Sequence, residues 1–238
     1  MTADPTLRAN LERCLDEIRE ACDLASRDPA EVRLLAVTKT ATSIETAEMA
    51  TAMHEAGLEV LLGESRVQAL AGKAADLGDL PFPVSLELIG SLQSNKARSA
   101  ARFAARIHSL DRSSILHRLD ACARELDRRI PAFLQVNLSG EATKHGFAEG
   151  EVEAALELAR GLEGLEIVGF MTMAPRGTDH ETARPCFARC RELRDRLAPD
   201  LPWLSMGMSG DFRGAILEGA THLRIGSHLF ARNDGGSP

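Results

Sequence analysis

"RLLAVTKTATSIETAEMATAMHEAGLEVLLG", residues 33–63, holds two short apolar runs with a helix-like segment between them. Arg33–Lys39 and Glu59–Gly63 are short, continuously apolar and bounded by turn residues, so they read as buried strands. The intervening "SIETAEMATAMHEAG" has Ser43 to cap its start and Gly57 to close its end, the marks of a helix. Strands joined by a helical crossover run parallel. The stretch is therefore one strand–helix–strand unit, and the question is how often it repeats.

Six more strand-like runs follow: Ser85–Gly90, Arg106–Leu110, Ala132–Leu138, Glu166–Ala174, Trp203–Gly207 and His222–Ser227. That makes eight. Helix-patterned segments such as "GEVEAALELARGLEG" separate them, and Leu7, Leu11, Leu15, Ile18, Cys22 and Leu24 predict an N-terminal helix over about residues 4–26. No Gly/Ser or Pro linker divides the series, so residues 1–238 read as one domain. Right-handed crossovers curl a parallel sheet one way, and eight of them predict the α/β class and a closed (β/α)8, TIM-like barrel. An open doubly wound sheet is the rival. Neither a GxGxxG turn nor a GxxxxGK[ST] loop is present to support it.

Composition narrows the function. The residues are 44% hydrophobic and 26% charged, as in soluble globular proteins. A net charge of -7 with scattered basic residues leaves no footprint for a nucleic-acid backbone. The five cysteines show no zinc-ligand or CxxC spacing, which points to a reducing compartment. The N-terminus carries charges every few residues, unlike a signal peptide or membrane span, so cytoplasm is the expected location and no membrane a partner.

In a barrel of this kind the active site lies at the C-terminal ends of the strands. Lys39 closes the first strand and shares the parity of Leu35 and Val37, which aims it at the mouth. Alone, it reads rather as a lysine snorkelling to water. "WLSMGMSGDFRGAILEGATHLRIGSHLF" (203–230) then supplies two phosphate-friendly loops. Ser209 and Gly210 precede a short helix, and Gly226 and Ser227 end the last strand. Each loop alone is also an ordinary cap or turn. Closure sets the eighth strand beside the first, making Arg224 a neighbour of Lys39, although a rim salt bridge would explain Arg224 as well. A lysine for a Schiff base, an arginine for a ring nitrogen and a phosphate cup are together the parts of a pyridoxal 5′-phosphate (PLP) site.

Other residues carry weaker signals. Ser94 reads as an N-cap, with Gln93, Asn95 and Lys96 able to reach a ligand or simply make the loop polar. His108 lies inside a strand and reads as a satisfied core or rim histidine rather than a base. Asn137, Ser139 and Lys144 form a polar loop that can line the mouth, while Met171, Met173, Met206 and Met208 read as core packing.

The succession "LLAVTKT", "LLGESRVQ", "LELIGSLQSNKAR", "IHSLDR", "QVNLSGEATKHGF", "GFMTMAP", "LSMGMSGDF" and "LRIGSHLFA" resembles the pyridoxal phosphate homeostasis protein family nearly end to end. That family's fold resembles the N-terminal barrel of alanine racemase. The resemblance implies PLP as cofactor, Lys39 as Schiff-base lysine, Arg224 at the pyridine nitrogen, and Ser209, Gly226 and Ser227 at the phosphate. Ser65 stands where the family usually has asparagine near the ring, and its shorter hydroxyl puts a direct contact in doubt. The implied role is reversible binding, buffering or delivery of PLP to apo PLP-dependent enzymes, by a monomer that is not itself an enzyme and holds no metal. The alternative is a PLP-dependent amino-acid racemase, which needs an acid/base on each face of the substrate carbanion. In alanine racemases the second comes from a tyrosine on a separate domain. This chain contains no tyrosine, and the few residues after Leu229 leave no room for such a domain.

Overall fold

The computed structural model describes residues 4–138 and 145–232; Ser139 and Lys144 lie outside them. Its elements are, in order, α1 (Pro5–Leu24), β1 (Arg33–Val37), α2 (Ser43–Glu55), β2 (Leu61–Glu64), α3 (Val67–Asp76), β3 (Ser85–Leu88), α4 (Ala97–Phe103) and β4 (Arg106–Leu110). The second half holds α5 (Ser113–Glu125), β5 (Ile130–Asn137), β6 (Phe147–Ala148), α6 (Val152–Arg160), β7 (Leu165–Met171), α7 (His180–Leu197), β8 (Trp203–Met208), α8 (Phe212–Leu217) and β9 (His222–Ile225). Parallel pairing runs β1-β2-β3-β4-β5-β7-β8-β9 and returns to β1, closing an eight-stranded barrel, with the short β6 added beside β5. The fold is the expected (β/α)8 barrel preceded by a helix.

Strand parity sorts the core into two layers. Leu34 and Ala36 face outward into the large cluster shared with the helices, whereas Leu35 and Val37 pack inside with Leu61 and Ile89. Phe133, Val168 and Met171 fill the other half of the interior, against Met173 and Trp203. Gly169 keeps β7 and β8 in register: a Cβ there would sit 1.8 Å from the Trp203 carbonyl oxygen.

The helix starts differ in detail from the sequence reading. Thr42, not Ser43, caps α2: its hydroxyl accepts the Glu45 N–H, and the Glu45 carboxylate accepts the Thr42 N–H. Gly57, just past the helix, supplies the left-handed closure at φ +74°. Ser94 caps nothing; it opens a 3-10 turn, Ser94–Lys96, that runs into α4. Asp4 caps α1, and Pro5 at its first position costs no hydrogen bond.

Strand β1 stops at Val37 rather than Lys39. Thr38 is fully buried; its hydroxyl donates to Glu64 at 2.6 Å, and its carbonyl accepts the Ala41 N–H at 3.0 Å and the Lys73 ammonium at 2.6 Å. With that carbonyl closing a turn, Lys39 and Thr40 occupy the corner. Lys73 also pairs with Glu64, forming a buried ionic latch between the barrel wall and α3.

Helix α1 packs against α8 and α2. Asn10 is buried and donates through its amide to the carbonyls of Leu229 and Ala231, while Arg27 donates to those of Ile216 and Ala220 at the end of α8. All five cysteines are free and buried, and burial pushes the Cys14 thiol up to about 12. Among the described residues no helix is long and apolar enough to cross a membrane, and no cluster of three potential metal ligands occurs.

Candidate functional site

The loops that follow the strands meet at one end of the barrel, and there the sequence-derived residues can be placed. Arg224 lies in register with Leu35 of β1 and Met208 of β8. It is buried inside the barrel, not on the rim. One guanidinium nitrogen donates to the Ser205 hydroxyl at 2.8 Å and another to the Thr172 carbonyl at 3.0 Å. Both of these partners are uncharged, so a rim salt bridge is not its role. Burial pushes its pKa down to about 10, with the charge of nearby Asp211 opposing the shift; Arg224 is a cation at neutral pH.

The two phosphate-friendly loops are joined directly. The Gly226 N–H donates to the Ser209 hydroxyl at 3.3 Å. Asp211, not Ser209, occupies the cap position of α8, and its carboxylate accepts the Met208 N–H at 2.6 Å. The Ser209 hydroxyl is thus left to the cup. Ser209 and Gly226 are half-buried and Ser227 exposed. A Cβ on Gly226 would touch Val37, with its Cβ and carbonyl oxygen both at 3.4 Å. The cup therefore abuts the end of β1, two residues before Lys39. Lys39 itself is exposed at its turn.

Ser65 follows β2, half-buried, with its backbone close against Gly90, where a Cβ would lie 2.1 Å from the Ser65 carbonyl oxygen. Gln93 and Asn95 are exposed and Lys96 half-buried on the third loop. Met171 and Met206 pack in the core and Met173 partly so, but Met208, the last residue of β8, is 37% exposed.

Beneath Arg224 lies a set of polar contacts that the sequence reading did not assemble. His108 is completely buried, with Nδ1 2.8 Å from the Ser205 hydroxyl and Nε2 2.6 Å from a Glu87 carboxylate oxygen. Glu87 also accepts from Arg106 at 2.7 Å and from the Ser85 hydroxyl at 3.1 Å. Burial holds His108 below the usual histidine range, against the pull of Glu87. It is a satisfied interior histidine, as expected. The signal for the rest was present as parity: Glu87, His108, Ser205 and Arg224 each occupy an inward position of a different strand. At the far end of the barrel the guanidinium groups of Arg33 and Arg106 both lie over the Trp203 ring, 5.0 and 4.7 Å from its centre.

The cavities agree with this division. A 350 Å³ cleft lined by Leu77, Phe82, Leu86, Phe103 and Ala105 lies beside α3 and α4 and includes none of the sequence-derived site residues. A 290 Å³ cavity lies against the cup and is lined by Ser209, Gly210, His180, Arg213 and His228.

One barrel thus holds a buried arginine in its interior, a joined pair of loops at its mouth and an exposed lysine just past the end of β1. Residues 10–234 match the model of the alanine racemase N-terminal domain family. The chain is 40% identical over 233 residues to the pyridoxal phosphate homeostasis protein of Pseudomonas aeruginosa, covering 98% of both chains. It is 37% identical to the protein of the same name from Aquifex aeolicus, covering 92% of this chain and 95% of that one. Among solved structures it resembles PipY of Synechococcus elongatus, determined with PLP bound, at a TM-score of 0.77 and 35% identity over 90% of this chain and 100% of that one. The chain belongs to the pyridoxal phosphate homeostasis protein family, within the alanine racemase N-terminal domain class.

Proposed function

We propose that this protein binds PLP reversibly at the barrel mouth and keeps and hands on that cofactor rather than turning over amino acids. Lys39 would hold the aldehyde, Arg224 the ring nitrogen, and Ser209, Gly226 and Ser227 the phosphate, with Ser65 near the ring edge. The observation that carries the reading is Arg224, a buried cation anchored at Ser205 and Thr172 beside two loops joined by the Gly226–Ser209 hydrogen bond. The names of the Pseudomonas and Aquifex relatives, and PLP in PipY, support it.

The donor set fits the group. Guanidinium offers only donors, which suits an unprotonated ring nitrogen, while hydroxyl and backbone N–H groups suit a phosphate. When bound, PLP supplies an aldehyde that condenses with amines and a ring that delocalises negative charge. Arg224 opposes protonation of the ring nitrogen and so weakens that delocalisation. Lys39 stands on an exposed turn, where a competing amine can reach the linkage; this favours release over retention. Both ring nitrogens of His108 are engaged in the interior, and the chain has no tyrosine, so neither supplies the second acid/base that racemisation needs. The recipients are apo PLP-dependent enzymes, and the protein acts as a cytoplasmic monomer.

The test is the visible spectrum of protein loaded with PLP, before and after borohydride, for the parent and for Lys39→Ala. A reducible band in the parent and its loss in the variant are expected; a band of normal intensity in Lys39→Ala refutes the site. Loaded parent should also reconstitute an apo-enzyme while giving no deuterium exchange at Cα of common amino acids. Turnover on the order of 10 s⁻¹, ordinary for an enzyme, would overturn the holding role.

A further inference from the structure

Four inward side chains from four strands, β9, β8, β4 and β3, touch in sequence: Arg224, Ser205, His108 and Glu87. The directions in that chain are fixed from its two ends, by Arg224, which can only donate, and by the Glu87 carboxylate, which can only accept. A guanidinium can only donate, so the Ser205 oxygen accepts from Arg224. The Ser205 proton is then free for His108 Nδ1, which must be an unprotonated acceptor. A neutral imidazole with a bare Nδ1 carries its proton on Nε2 and donates it to Glu87. Glu87 accepts at its other oxygen from Arg106 and Ser85, so the carboxylate is fully used. One orientation satisfies all members. If His108 carried a proton on Nδ1, the Ser205 oxygen would face two donors and its own proton would lose its acceptor.

We propose that Ser205, His108 and Glu87 form a one-directional hydrogen-bond relay that positions Arg224, fixing its guanidinium as a donor toward the ring nitrogen of the bound ligand. This deepens the PLP reading and rests on it. The groups facing His108 are Glu87 from β3, Arg106 from β4, Phe133 from β5, Ser205 from β8, and His222 and Arg224 from β9. Burial disfavours the imidazolium, and both arginines add to that, leaving the neutral ring that the relay needs. Glu87 draws the Nε2 proton toward itself and so sets the tautomer. The Thr172 carbonyl holds the guanidinium from the other side. None of the three relay residues needs to touch the ligand; they act through Arg224.

Two measurements test this. The first uses protein without cofactor and reads the tautomer of His108 from ¹⁵N shifts of labelled histidine. The parent should show a bare Nδ1 and a protonated Nε2. In Glu87→Gln the amide oxygen goes to Arg106 and the NH2 faces His108, so the tautomer should invert. A parent with protonated Nδ1, or no change in the variant, overturns the relay whatever binds at the mouth. The second compares affinity for PLP with that for its analogue bearing CH in place of the ring nitrogen. The parent should prefer PLP on the order of tenfold to a hundredfold, the usual worth of a hydrogen bond to a charged group. Ser205→Ala should lose most of that preference, whereas a merely structural defect would weaken both ligands alike. An unchanged preference in Ser205→Ala overturns the positioning role. No preference in the parent overturns the placement of the ring against Arg224, and this inference with it. If Ser205→Ala does not fold, Glu87→Gln provides the same comparison and should also lose preference.

Discussion

Lys73→Met is the sharpest test of how the turn bearing Lys39 is built. Lys73 is buried on α3 and has two partners: the Glu64 carboxylate and the Thr38 carbonyl, the latter at 2.6 Å. Methionine keeps most of the aliphatic stem and removes the charge, so the packing change is small. Glu64, whose side chain is 1% exposed, is then left with the Thr38 hydroxyl as its remaining donor. Removing one partner of a buried pair costs about 3–5 kcal/mol, and the Thr38 carbonyl retains the Ala41 N–H, so no large second penalty is added. Against a total stability of about 5–15 kcal/mol this is a major loss. Urea denaturation of the unliganded protein at neutral pH should show a midpoint lower by about 1–2 M, taking m near 3 kcal/mol per M. Adding Glu64→Gln removes the uncompensated charge, and the double variant should recover most of the loss. The turn is held from below by this latch, so the PLP capture proposed for Lys39 should also slow in the single variant and recover in part in the double. A single variant within about 1 kcal/mol of the parent, or a double variant no better than the single, would refute the latch.

Ser209→Ala and Ser227→Ala each remove a hydroxyl from the cup; at about 1.5–3 kcal/mol each, PLP affinity should fall on the order of tenfold to a hundredfold, and titration of the parent with unphosphorylated pyridoxal should show weak binding. Equal affinity for the two ligands would exclude these loops as the anion site. His108 and His222 both have pKa values lowered by burial, so the unfolded chain takes up protons first as pH falls. Their stabilisation is full above about pH 6.5 and declines below it by up to about 1.4 kcal/mol per pH unit for each histidine. Chemical denaturation at a series of pH values should show this decline; a flat profile between about pH 6.5 and pH 5 would contradict it. Gly169→Ala drives a methyl into the Trp203 backbone and should cost at least about 1–3 kcal/mol, seen as a lowered Tm, because the contact is with main chain and not with a movable side chain.

The sequence by itself determined the repeat. Alternation of short apolar runs with amphipathic ones is written locally, because burial against a helix layer and against a barrel interior imposes its pattern residue by residue along each strand. That is why Arg106–Leu110 is legible to the residue, and why Ser209, Arg224 and Gly226 can be referred to the same end of the molecule from the chain alone. Boundaries were less legible. Lys39 falls outside β1 because Thr38 is turned by Glu64 and Lys73, partners 26 and 35 residues away that no local pattern announces. Ser43 and Ser94 looked like caps, but the chain entered α2 one residue earlier at Thr42 and passed into α4 through a 3-10 turn. Only the tertiary structure decided that Arg224 is an interior group held by Ser205 and Thr172, and that His108 and Glu87 stand behind it. Polar side chains inside a barrel are placed by closure, which brings β9 beside β1 and sets β3, β4 and β8 around one axis. Their mutual distances therefore depend on the register of every intervening strand, a global quantity, whereas the apolar alternation that foretold the strands depends only on neighbours in the chain.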